Sequence, residues 1–303
     1  MEFPENYFEG EERDGFYISS MMKKAWAAQI EVMEVVKGIC KKHNLQLFAD
    51  YGTMLGAVRH KGFIPWDDDI DLVMKRKDYE KFLTLADELP PKYRIINIYT
   101  EPEYTEMLTR VVNNTEISFD PEHLRQFHGC PYVVGVDIFP IDFISSNPQE
   151  DEMLSNLLMI VLGQAETIDT DMVSREEREW LVSQIEELCC TTIDRTKPIR
   201  RQLLMLGDKL CGMFSEEEAN EITAMIKRTR RPKYRMDKSC YAYSIDMPFE
   251  NTTVPVPVGY ETSLRINYGA NYMTPINKRA SHDYPFYKAQ EQIVKEKLGF
   301  VPV

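Results

Sequence analysis

"YGTMLGAVRHKGFIPWDDDIDLVM", residues 51–74, puts four carboxylates into five positions between a tryptophan and an apolar run. Mutual repulsion and desolvation both oppose such crowding, so the neighbours decide what it means. A solvated acidic run does not account for Ile64, Trp66, Ile70, Leu72, Val73 and Met74 around it. A calcium loop fits no better. Asp67, Asp69 and Asp71 alternate as EF-hand ligands do, but the sixth position is Leu72 where a turn glycine is needed, and the twelfth is Asp78 where a bidentate Glu is needed.

On a strand, side chains two apart share a face, so Asp69 and Asp71 project together while Ile70 and Leu72 turn to the core. Two carboxylates so placed call for a divalent cation, or else for one of them to keep its proton. Asp137 in GVDIFPID, between Val136 and Ile138 in a strand pattern, is the best third ligand, with Asp142 in reserve. Upstream, LQLFADYG alternates and stops at Gly52. Thr53 can cap the short helix MLGAVRH, and the glycine lets backbone approach an anion at a helix N-terminus. Strand, Gly52, Thr53 and helix, with Thr53 16 residues before Asp69, form the pattern of a nucleotidyltransferase-type site.

The chain around this stretch is 303 residues long and 43% hydrophobic, enough for one large domain or two modest ones. A net charge of −13 argues against nucleic acid as the main partner, since phosphate backbones need clustered Lys and Arg. The six cysteines form no C-x-x-C pair and read as reduced core thiols. The acidic, aromatic start MEFPENYFEGEERDGF lacks the features of a signal peptide, so the expected location is cytoplasmic. The most apolar window, Leu154–Leu162, is half the length of about 20 residues that a spanning helix needs and reads as a buried helix.

Apolar residues at helical spacing predict an amphipathic helix over 20–43. Asp78 can cap a helix over YEKFLTLADEL, and strands are expected at 93–99, 108–112 and 131–139. From 149 to 230 the periodicity is helical, Ser174 and Ser215 are expected to open helices, and strand signals vanish. Extended VPVPVGY, helix-like ETSLRIN and the basic end NKRASHDY then fold back on the first half. The expected architecture is α+β: a catalytic core over 1–148 with a mixed sheet flanked by helices, a helical subdomain over 149–230, and a C-terminal segment, 231–303, completing the core.

The stretch 51–74, together with SSMMKKAWAAQIEVMEVVKGICKKHNLQLFAD before it, GVDIFPID in the middle and VPVPVGYETSLRINYGANYMTPINKRASHD near the end, resembles the LicD family of phosphocholine transferases. The resemblance implies a nucleotidyltransferase-like fold, shared with fukutin-type ribitol-phosphate transferases. It also implies one or two Mg²⁺ ions, with Mn²⁺ as a substitute, held by Asp69, Asp71 and Asp137. Its expected reaction moves phosphocholine from CDP-choline to a cell-surface glycan, such as teichoic acid or lipopolysaccharide, or to a lipid-linked precursor, with peripheral contact at the inner face of the membrane. Transfer of phosphoethanolamine or ribitol phosphate, or true nucleotidyl transfer, stays open. Tyr51 departs from the small residue, often Gly, that commonly precedes the Gly-Thr pair, and should line the nucleotide pocket.

Around this frame Asp67 is a candidate general base. Arg59, His60 and Lys61 are candidate phosphate contacts, although a helix C-terminus favours cations in any case. Lys278, Arg279 and His282 can close over the donor or meet an anionic acceptor. For a quaternary ammonium, Trp66, Tyr51, Tyr268 and Tyr272 are the available cage aromatics.

Overall fold

The computed structural model describes residues 1–170, 173–224, 227, 234–276 and 284–299. Packing divides the chain into two units: Met1–Ile95 with Arg110–Phe139 and Ser239–Val303, and Ile96–Thr109 with Pro140–Lys238. The second unit thus takes in 96–109, 140–148 and 231–238 besides the stretch of helical periodicity. The architecture is α+β, a mixed sheet flanked by helices.

The first unit begins with a small antiparallel pair, β1 (Glu11–Arg13) and β2 (Phe16–Ile18). Helix α1 (Ser20–His43) follows with the predicted bounds. The Ser19 hydroxyl accepts the Met22 N–H at its start, and Asn44 takes a left-handed conformation at its end. Then come β3 (Phe48–Ala49), α2 (Tyr51–Arg59), β4 (Asp71–Lys75), α3 (Arg76–Leu83), β5 (Arg94–Ile96), β6 (Thr109–Val112), α4 (Pro121–Gln126) and β7 (Gly135–Ser145). The strands lie in the order β3-β4-β7-β6-β5. One face of this sheet, through Leu72, Val111, Val136 and Ile138, joins the core built on α1. Trp26 at the centre of that core is fully buried and stacks on Phe63 at 4.5 Å.

The described residues from Ser239 onward fall in this unit. VPVPVGY supplies β11 (Thr252–Pro257), paired antiparallel with β10 (Ser244–Phe249), and ETSLRIN lies in the helix Tyr260–Tyr268. Glu250, in the turn between the two strands, fixes the loop that leads to the acidic segment. Its N–H donates to the Lys61 carbonyl at 2.8 Å, while its carboxylate accepts from the Phe63 N–H at 3.1 Å and pairs with Arg13 at 2.9 Å.

The second unit contains α5 (Pro148–Thr167), α6 (Arg175–Cys189) and α7 (Ile199–Cys211) around a core of Val161, Val182, Ile185 and Leu203. Ser174 caps α6 through the Glu177 N–H, as expected. Two expectations fail here. Ser215 opens no helix: its N–H and hydroxyl both donate to the Glu218 carboxylate, closing a turn. The chain then enters β8 (Ala219–Thr223), which pairs with the second half of β7 and with β9 (Met236–Asp237), so the stretch 149–230 is not free of strands. Pairing supplies what the polar sequence ANEIT does not advertise. The apolar window buries Leu154, Leu158 and Val161 but leaves Met159 and Ile160 exposed. Among the described residues, no helix is long and apolar enough to cross a membrane.

All six cysteines are free thiols; Cys40, Cys130 and Cys211 are buried, whereas Cys190 is exposed rather than in the core. On α4, His123 is fully buried against the Phe127 ring at 4.8 Å. Burial, aided by the Lys92 charge, holds its pKa below the ordinary imidazole value. The folded protein therefore resists protonating a group that the unfolded chain protonates near pH 6.5. Its contribution is fully present above that pH and is lost as pH falls toward the lower folded value. Denaturation midpoints of the wild type should thus drop more steeply from pH 7.5 to 5.5 than those of His123→Leu; parallel curves would exclude His123 as the source.

Candidate active site

The acidic segment is an extended approach to β4, and its exposure alternates. Asp67, Asp69 and Asp71 are half-buried, while Asp68, Ile70 and Leu72 are buried. Exposure thus alternates through Asp69 and Asp71, although only Asp71 lies within the strand.

Several distant parts of the first unit fix the backbone of this segment. From α1, one turn apart, Trp26 Nε1 donates to the Asp67 carbonyl at 3.2 Å and Gln29 Nε2 to the Asp68 carbonyl at 2.7 Å. The Asp67 N–H donates to the Ile64 carbonyl at 2.9 Å. The Asp71 N–H donates to Thr53 Oγ1 at 2.8 Å, and the Asp50 N–H to the Asp71 carbonyl at 3.1 Å. Satisfied groups of this kind hold a buried backbone in one conformation.

Thr53 is thus not the helix cap. Helix α2 starts earlier, at Tyr51, with Asp50 as its cap; the Asp50 carboxylate accepts the Tyr51 N–H at 2.7 Å and the Tyr241 hydroxyl at 2.9 Å. Asp78 does not cap α3 either. It sits in the first turn, where its carboxylate accepts the Gln46 N–H at 2.9 Å. Gly52 lies inside α2, where a Cβ would stand 2.1 Å from Asp67 Oδ2. The missing side chain is what admits the carboxylate to the helix surface. Tyr51 has φ +46°, in the left-handed region that favours glycine, which gives a physical reason for a small residue there. Its ring is buried edge-on to Phe139 at 5.3 Å.

Asp137 stands beside this segment: its N–H donates to the Ile70 carbonyl at 2.9 Å. Along β7, Val136 and Ile138 enter the core while Asp137 is half-buried. Asp71 on β4 and Asp137 on β7 thus share the sheet face opposite the α1 core, with Asp69 leading into it on the same parity. Asp142, the reserve ligand, is buried opposite Thr223 in the second unit.

Negative charge is crowded along the segment. Carboxylate oxygens of Asp67, Asp68 and Asp69 come within 4.8 Å of one another. Burial first, and then the Asp69 charge and a hydrogen bond to it, push the Asp67 carboxyl well above the usual carboxylate range. Asp68 is fully buried and accepts the Phe286 N–H at 2.6 Å, which gives it an anchoring role that sequence reasoning missed.

The basic candidates are spread more widely. Arg59 is tied to the Tyr272 carbonyl at 2.8 Å, and burial lowers its pKa. His60 lies 3.2 Å from Asp14, with its pKa also lowered by burial and by Arg59. Lys61 is exposed with φ +58°. Lys278, Arg279 and His282 lie outside the described residues. Among the aromatics, Tyr272 is buried under the Arg265 guanidinium, 5.8 Å from its ring centre, and Tyr268 is exposed. Trp66 meets Phe16 edge-on at 6.3 Å, and Phe16 meets Tyr284 at 5.4 Å. Nothing in the sequence joins Phe16 and Tyr284 to Trp66, because 50 and 218 positions separate them from it.

Residues 44–116 match the LicD/FKTN/FKRP nucleotidyltransferase domain. The chain carries a LicD-family domain. Within it fall Tyr51, Gly52 and the whole acidic segment, whereas Asp137 lies beyond the match and is placed by geometry alone. A stretch of 54 residues is 41% identical to the lipopolysaccharide cholinephosphotransferase LicD of Haemophilus influenzae, covering 18% of this chain and 20% of that one. Stretches of 48 residues are 40% identical to uncharacterized proteins of Rickettsia prowazekii and Rickettsia typhi, each covering 16% of this chain and 18% and 16% of those proteins. The chain spans a fifth or less of the curated relatives it matches. The LicD-family match thus includes the acidic segment but not Asp137.

Proposed function

We propose that the chain transfers a phospho-alcohol, phosphocholine first, from a CDP-linked donor to a hydroxyl of a cell-surface glycan or its lipid-linked precursor. What supports this reading is an acidic segment, Asp67 to Asp71, inside the stretch that matches a LicD-family domain, with the Asp137 backbone bonded beside it through the Ile70 carbonyl. The likeness to a lipopolysaccharide cholinephosphotransferase directs the choice of choline and glycan.

Hard carboxylate oxygens and the raised pKa of Asp67 both suit Mg²⁺ or Mn²⁺, which Asp69, Asp71 and Asp137 would hold. An ion held there would supply charge neutralisation at the diphosphate. The acceptor oxygen forms a bond to the choline-side phosphorus, the bond from that phosphorus to the CMP oxygen breaks, and the acceptor's proton goes to a carboxylate. Asp67 fits that last role, because a carboxyl whose pKa is raised is the better base once ionised. The partly buried rings of Trp66, Phe16 and Tyr284, next in sequence or in space to the acidic segment, offer faces to a quaternary ammonium.

Incubation with Mg²⁺ and CDP-choline, CDP-ethanolamine or CDP-ribitol tests this directly. CMP release that rises on adding lipopolysaccharide or teichoic acid, highest with CDP-choline, is the expected result. Pyrophosphate release from a nucleoside triphosphate, with no CMP from any CDP-alcohol, would replace this reading by nucleotidyl transfer.

A further inference from the structure

Arg110 is the one residue of β6 whose side chain is exposed; Val111 beside it enters the α1 core. It therefore lies on the same sheet face as Asp137 and Asp71, and the strand order β4-β7-β6 places Asp137 between the other two. Its guanidinium grips the Asp137 carboxylate with two parallel hydrogen bonds, Nε to Oδ1 at 2.6 Å and Nη2 to Oδ2 at 2.7 Å. Both carboxylate oxygens are thus engaged by the cationic fork, the geometry that also fits a phosphate.

An ion pair this accessible, with side-chain exposures of 44% and 14%, adds little to folding stability. Its placement matters more. We propose that Arg110 is a donor-binding residue of the transfer site. Without donor it neutralises Asp137; when Asp137 turns to a cation, the guanidinium passes to the donor's diphosphate. This inference rests on the function proposed above. It makes cation and donor binding interdependent, since one carboxylate is contested by two positive groups and the donor supplies the anion that Arg110 gives up.

Calorimetry on the whole chain separates this from a plain surface ion pair. Arg110→Gln removes the competitor, so Mn²⁺ titrated without donor should bind several-fold tighter than to the wild type. With saturating Mn²⁺, CDP-choline should bind about tenfold more weakly, the scale of one lost charge-assisted hydrogen bond. Arg110→Lys, which keeps the charge without the fork, should fall between. A melting temperature close to the wild type's is expected for both. Unchanged affinity for Mn²⁺ and for CDP-choline in Arg110→Gln overturns the inference while leaving the proposed function standing, as does weaker Mn²⁺ binding with donor affinity intact, which would make Arg110 only a support for Asp137. A wild type that binds neither Mn²⁺ nor any CDP-alcohol overturns both.

Discussion

Asp69→Asn is expected to cut Mg²⁺-dependent CMP release from CDP-choline by on the order of 10³-fold, as loss of a preorganised charge at a reacting phosphate does. Folding should not suffer. Asp69 is half-buried, its charge is the main electrostatic burden on Asp67, and Asn keeps the shape while removing that burden. In the absence of cation the variant should melt at or above the wild-type temperature. Asp71→Asn should match it in rate, because the fold uses the N–H and carbonyl of Asp71, which the substitution leaves in place. Near-normal turnover by either variant would mean that the chemistry is elsewhere.

Gly52→Ala, the smallest possible addition, should cost about 10²-fold in the same assay, the scale on which small misplacements of reacting groups are felt. The new methyl would stand 2.1 Å from Asp67 Oδ2, and the Asp67 carboxylate has little room to yield because Asp69 adjoins it and Trp26 pins its backbone. Alanine favours the helix interior, so part of the clash is offset in stability. The diagnostic result is a large fall in rate with a modest change in melting temperature. A variant that transfers at the wild-type rate would show that Asp67 need not occupy this position.

Much of this frame was legible in the sequence, for local reasons. Helix α1 is bounded by Ser19 and Asn44 and shows its period throughout, so its limits were readable to the residue. The alternation from Asp67 to Leu72 is likewise a property of extended backbone. What escaped depended on tertiary choices. Asp50 and Thr53 are both competent caps, and only the docking of β4 decides that Thr53 serves the Asp71 N–H while Asp50 serves the helix. Ser215 with Glu218 has the spacing of a capping box, yet the same two side chains close a turn before a strand. Arg110 is only one charge within an expected strand, and its pairing with a residue 27 positions away requires the strand order.

Trp26, Gln29 and Thr53 hold the acidic segment by its peptide groups, which an exchange of carboxylate for amide leaves in place. A lineage could therefore exchange Asp69 or Asp71 for neutral residues and keep an intact shell, able to clasp a nucleotide yet chemically silent. Detecting a folded domain of this shape is then weaker testimony to catalysis than the survival of its acids, and silent descendants should be recognised by which aspartates they have shed.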